Sequence, residues 1–214
     1  MNKNVYSIVL TDDVIRAVDE AAYRLGTNRS NLINQILAEH LSCITPEMRM
    51  REIFNSAETL LQRELLLMQQ NSPSVLMLRT ALQYKYRPTV NYKIELERNP
   101  EVYMGRLKAQ IRTQNTALID CFNRFFAVIS AAEASVYENM NISGYKPTIS
   151  RDFFTRPLLN NPRLNDEEKG AVIGKYLNML NRAVRSYFSA PDELQYIANG
   201  YNAEFSAFIM DTII

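Results

Sequence analysis

A short alternating segment, Val5 to Leu10, leads directly into two amphipathic helical stretches joined by the turn Gly26-Thr27-Asn28-Arg29. In a strand successive Cβ atoms point to opposite sides, so Tyr6, Ile8 and Leu10 share one face and Val5, Ser7 and Val9 the other. A lone strand leaves its backbone donors and acceptors unpaired, which folded proteins rarely tolerate. Unless a distant segment covers it, the nearest available partner is the same strand of a second copy. Thr11 offers an N-cap hydroxyl, and Asp12 and Asp13 place negative charge where the helix dipole favours it. Val14, Ile15, Val18, Ala22 and Leu25 form an apolar stripe that ends at Gly26. Ser30 is the expected cap of the second helix, whose apolar positions are Leu32, Ile33, Ile36, Leu37 and Leu41.

Two such strands make a ribbon of a width that fits the major groove of duplex DNA. The order strand, Thr11 cap, helix, Gly26, Ser30 cap, helix resembles the ribbon–helix–helix family of the Arc and MetJ type, over residues 3–42. The resemblance implies a homodimer, higher oligomers on DNA, and a sequence-specific regulator of transcription acting as a repressor. By position it makes Val5, Ser7 and Val9 the base readers. Lys3, Arg29, Ser30 and Asn31 become the phosphate anchors, the last three at a helix N-terminus, where free amides and the dipole suit an anion. Valine can press on a thymine methyl but donates no hydrogen bond, so discrimination rests on Ser7 and on DNA shape. Lys3, Arg16, Arg24 and Arg29 oppose Asp12, Asp13, Asp19, Glu20 and Glu39, so this segment supplies little phosphate neutralisation. The alternative is an interaction module whose first segment only dimerises, or an edge strand in a larger sheet, with the remainder binding a protein or an RNA-containing partner.

The expected architecture is mainly α: a ribbon–helix–helix module over 1–44 with an intermolecular two-stranded ribbon, then a larger, mostly helical domain over 45–214 with one β-hairpin. Thr45 and Pro46 start a helix whose apolar face runs to about Gln70. Leu82, Tyr84 and Tyr86, then Tyr92, Ile94 and Leu96, alternate with polar residues and predict a hairpin over 82–97. Asn99-Pro100 is read as the start of a long helix to about Glu138, and 141–164, rich in Pro and Gly, as a crossing loop. Asn165 with Glu168 predicts a capped helix, and Pro191 opens the last one, which ends in two isoleucines expected to be covered.

A second surface is suggested by charge. Between Leu65 and Ile94 there is no acid, while Arg79, Lys85, Arg87 and Lys93 are present; extending to Arg112 adds Arg98, Arg106, Lys108 and Arg112 against Glu95, Glu97 and Glu101, with Tyr84, Tyr86, Tyr92 and Tyr103 interleaved. Such a set can track a phosphate backbone, or it can be the solvated side of a sheet. Catalytic constellations are missing: His40 is the sole histidine, and there is no Gly-rich phosphate loop or nucleophile elbow. No metal or cofactor is expected, and the chain reads as a non-enzyme. Cys43 and Cys121 read as reduced thiols of a cytoplasmic protein without a signal peptide, and no apolar run reaches the ~20 residues of a membrane span.

Overall fold

The structure, a computed structural model, describes residues 7–41, 43–69, 72–84 and 87–214. These form six α-helices and a six-stranded antiparallel sheet, distributed over two compact units, Met1–Arg49 and Met50–Ile214.

The first unit opens on helices α1 (Asp12–Arg24) and α2 (Arg29–His40). The expected ribbon is overturned: Ser7 to Leu10 adopt no strand, and no segment of the described chain pairs with them, so their backbone lacks the ladder that would define one. Lys3, Val5 and Tyr6 lie outside the described residues. The helix signals fare better. Thr11 occupies the N-cap of α1 with extended backbone but makes no side-chain cap bond, and Asp12 and Asp13 fill the first turn. Gly26 has φ +62°, a left-handed conformation that glycine adopts without penalty, and the amide of Thr27 returns to the Ala22 carbonyl at 2.9 Å. The cap of α2 is Asn28 rather than Ser30: its Oδ1 accepts from the Asn31 amide at 2.9 Å.

In the second unit the chain continues from α3 (Pro46–Thr59) to β1 (Leu66–Leu67), β2 (Val75–Ala81), β3 (Thr89–Leu96) and β4 (Tyr103–Arg112). Then follow α4 (Thr116–Asn139), β5 (Thr148–Ser150), β6 (Phe153–Leu159), α5 (Asp166–Ser189) and α6 (Leu194–Asp211). The sheet order is β1-β2-β3-β4-β6-β5. The mainly helical expectation with one hairpin is therefore corrected to a mixed α and β unit. Leu82 and Tyr84, expected in the first hairpin strand, instead follow the end of β2; Leu82 N donates to Pro88 O at 2.9 Å, and the paired strands lie to either side. The helix expected from residue 99 begins only at 116. Leu107 and Ile111 are four apart, a spacing that fits one helical turn and two strand repeats equally well. The expected crossing loop contains β5 and β6, where Pro157 lies past the end of β5 on an edge that needs no donor. The helix begun at Pro46 stops at Thr59 instead of Gln70. There Asn178 of α5 clamps the turn, donating to the Leu60 carbonyl at 2.6 Å and accepting from the Gln62 amide at 3.0 Å.

Helices cover one face of the sheet. Phe154 of β6 stacks on Phe126 of α4 with centroids 4.4 Å apart, and the Tyr92 hydroxyl of β3 donates to Asn181 Oδ1 of α5 at 3.4 Å. α3 lies close against α5 because Gly170 has no side chain; a Cβ there would sit 2.2 Å from the Ile53 carbonyl oxygen. Thr45 Oγ1 accepts from the Met48 amide at 3.2 Å, and Asn165 and Glu168 form the reciprocal capping box. Ile214 is fully buried. Among the described residues, no helix is long and apolar enough to cross a membrane.

Candidate nucleic-acid interface

The helix pair of the first unit buries little of its own apolar surface. Val18, Ala22 and Leu32 form its buried cluster, with Ala21 and Ile33 packed against them. Val14, Tyr23, Leu25, Ile36, Leu37 and Leu41 stay exposed, as do Ile8 and, at 99%, Val9. Of the expected base readers, Ser7 and Val9 are exposed in the segment before α1, and Val5 lies outside the described residues. Of the phosphate anchors, Arg29 is engaged elsewhere: its Nε donates to Asp19 Oδ1 at 2.7 Å and its Nη2 to Oδ2. That fork holds the Asp19 carboxyl below its ordinary range and the guanidinium above its own. The Asn31 amide is taken by the Asn28 cap, while Ser30 is exposed in the first turn.

In the second unit the basic residues separate by face. Antiparallel register sets Met77, Lys93, Lys108, Thr155 and Thr148 in one row across the sheet. The next row is Arg79, Asn91, Gln110, Phe153 and Ser150. Arg106 stands opposite Glu95 and Arg112 opposite Thr89. These rows share the face away from the helices, because Leu76, Leu78, Tyr92, Ile94, Leu107 and Phe154 take the alternate, buried positions. Arg79, Arg106 and Arg112 are exposed, and Lys93 and Lys108 are half-buried.

Contacts on this face are polar. Lys93 and Arg106 both pair with Glu95, whose carboxyl they hold below its ordinary range, the Lys93 hydrogen bond most strongly. Arg79 Nε donates to Asn91 Oδ1 at 3.3 Å, and Lys108 Nζ lies 3.9 Å from the centre of the Phe153 ring. Gln110 Nε2 donates to Asp152 Oδ2 at 2.7 Å at the rim.

The sequence-expected second surface is thus partly assembled. Arg79 and Lys93 are on the open face. Arg87 is exposed in the β2–β3 turn at φ +43°, and Tyr84 packs edge-on against Phe188. Lys85 lies outside the described residues. Tyrosine does not supply the aromatic element: Tyr92 is buried, and the Tyr103 hydroxyl donates to the Gly144 carbonyl at 3.1 Å. Phe153 takes that place, while Arg106, Lys108 and Arg112, expected in the basic stretch but on a helix, stand on β4 instead.

Sequence reasoning also missed a buried polar network. Glu133 of α4 and Arg156 of β6, both 0% exposed, meet at 2.9 Å. Tyr176 donates to Glu133 Oε1 at 2.8 Å and Tyr145 to Oε2 at 2.6 Å, while Tyr201 also donates to Oε1. Arg156 further donates to the Ile214 carbonyl at 2.6 Å, to the Tyr137 hydroxyl at 3.0 Å and to the Pro157 carbonyl at 3.0 Å. Every acceptor direction of the carboxylate is filled, which is the condition for burying an ion pair without a large penalty. The network ties α4, α5, α6 and β6 to the chain end, a structural role. Its signal was present: Glu133 falls on the Phe122, Phe126, Ile129, Val136 stripe of α4.

His40 is exposed at the end of α2, and Cys121 is half-buried against the core. Among the described residues, no group of three His, Cys, Asp or Glu side chains is placed to hold a metal. In comparisons with known proteins, no family model, no curated protein and no solved structure matches the chain.

Proposed function

We propose that this chain is a homodimeric DNA-binding regulator of transcription, joined through its N-terminal helix pair. The observation that carries the reading is the mismatch in that unit: a buried cluster of only Val18, Ala22 and Leu32 against the exposed Val14, Leu25, Ile36, Leu37 and Leu41. Helical units this small rarely hold together without a disulfide, a metal or a partner. A second copy of the same pair is the simplest apolar cover, and a two-fold dimer presents both α2 starts to a duplex. There the exposed Ser30 and the first-turn amides suit a backbone phosphate. The two cysteines are free, in keeping with a reducing cytoplasm.

One observation favours a second reading, that the unit only dimerises and the partner is a protein. Arg29, the cation nearest the α2 start, is already bound to Asp19.

Footprinting of the full chain on its own upstream region, with Ser30→Glu beside it, separates the two. A carboxylate in the first turn favours the helix dipole but repels phosphate. The variant is expected to stay dimeric and lose about tenfold or more in duplex affinity. A dimer whose duplex binding is absent, or unchanged in Ser30→Glu, supports the protein-interaction reading instead.

A further inference from the structure

We infer that the helix-free face of the sheet is a binding surface for single-stranded nucleic acid, separate from the N-terminal unit. Five basic side chains, Arg79, Lys93, Arg106, Lys108 and Arg112, stand on its strands against the carboxylate of Glu95. Asp152 adds a second acid at the rim, where Arg151 also lies in the β5–β6 turn.

The register makes this arrangement costly as mere solvation. Lys93 and Lys108 are directly paired across β3 and β4, an opposition of like charges that destabilises a sheet. Their ammonium groups part, Lys93 turning to Glu95 and Lys108 to the Phe153 ring. A polyanion lying between them removes the repulsion, so the pair makes sense with an anionic strand in place.

Geometry selects the kind of polyanion. Arg106 and Lys108 are two residues apart on β4, about 7 Å along the strand. Lys93 lies one strand away, about 4.8 Å across. This density of cations on a shallow surface suits a flexible chain of phosphates that can follow the row. A duplex, stiff over ~150 base pairs, cannot bend to follow cations this closely spaced and meets few of them at once. Phe153, half-buried beneath Lys108, gives one base a ring edge to rest on. With so little aromatic surface, binding is tolerant of sequence and dominated by charge. RNA and DNA single strands share this chemistry.

The test uses the full-length protein and labelled oligouridylate, oligothymidylate and a duplex of equal length, titrated by anisotropy at about 50 mM and about 200 mM salt. Both single strands are expected to bind more tightly than the duplex and to lose about tenfold or more across that salt range. Arg106→Glu with Arg112→Glu is expected to cut single-strand affinity by about tenfold or more. The control pair Arg163→Glu with Lys175→Glu, exposed elsewhere, leaves it unchanged. Should the reversed pair fail to fold, Arg106→Ala with Arg112→Ala gives the same direction with a smaller loss. Tighter binding of one single strand than the other identifies its source and supports the surface. Absence of single-strand binding, equal affinity for the duplex, or an unchanged affinity in the Arg106/Arg112 variants overturns it. Ser30→Glu is expected to leave single-strand binding intact, so failure here is distinct from failure of the duplex reading.

Discussion

Two arginine–carboxylate pairs show how differently the two units are built. Arg156 and Glu133 are sealed from water and enclosed by Tyr145, Tyr176 and Tyr201, within a core that spans the sheet and α3 to α6. Arg29 and Asp19, in the helix pair, are about half exposed, and the apolar side chains around them bury only a three-residue cluster. One unit encloses its ion pair in a large apolar core. The other has the helices and turn it needs but not the volume to bury them, so its stability depends on what it meets.

Alkali is expected to act most strongly, and on the second unit. Burial pushes the hydroxyls of Tyr92, Tyr145, Tyr176 and Tyr201 well above their ordinary value of 10.0. Above that pH the unfolded chain releases these protons while the folded one keeps them, so the folded state binds more protons and stability falls as pH rises. Each tyrosine removes about 1.4 kcal/mol per pH unit, against a total of about 5–15 kcal/mol for a typical domain. Urea titrations at stepped pH are expected to show one cooperative loss of the second unit within about two units above the ordinary phenol value. A midpoint that stays level through that window contradicts the enclosed network.

Next in size is Glu133→Ala. It leaves a buried guanidinium and three phenols without their acceptor, and a loss of about 3–5 kcal/mol is expected by chemical denaturation. Replacing both partners, Glu133→Leu with Arg156→Met, should recover much of that loss, since the cost lies in the orphaned charge. If the single and double variants are equally damaged, the pair is not the organising element proposed.

The smallest effect belongs to Arg29→Ala. An ion pair this exposed is screened by water and salt, so no measurable change in the melting temperature is expected. A clear drop by calorimetry would mean that the helix pair is held together more by charge than by apolar contact.

The sequence disclosed local punctuation far better than long-range pairing. Gly26, Thr45, Pro46 and the Asn165–Glu168 box act on their nearest neighbours, and the helix boundaries they mark are where the residues placed them. The α2 cap was misplaced by two residues because Asn28 and Ser30 are equally competent caps, and only the turn geometry decides between them. The sheet was harder to read because its segments carry ambiguous spacing, as with Leu107 and Ile111, or contain a proline, as with Pro157. In the candidate site the basic residues from Arg79 to Arg112 were legible in composition, but which of them share one face depends on a register between strands that no single segment encodes. The first strand failed for a related reason: alternation in six residues states a preference, and pairing needs a second strand.

Whether the helix pair is completed by a second copy is decided by sedimentation equilibrium of the full chain in dilute solution. A particle of twice the 24.7 kDa chain mass is expected, falling to one chain mass in Leu37→Glu with the second unit still folded. A wild-type protein that sediments at 24.7 kDa with α1 and α2 fully helical would contradict it.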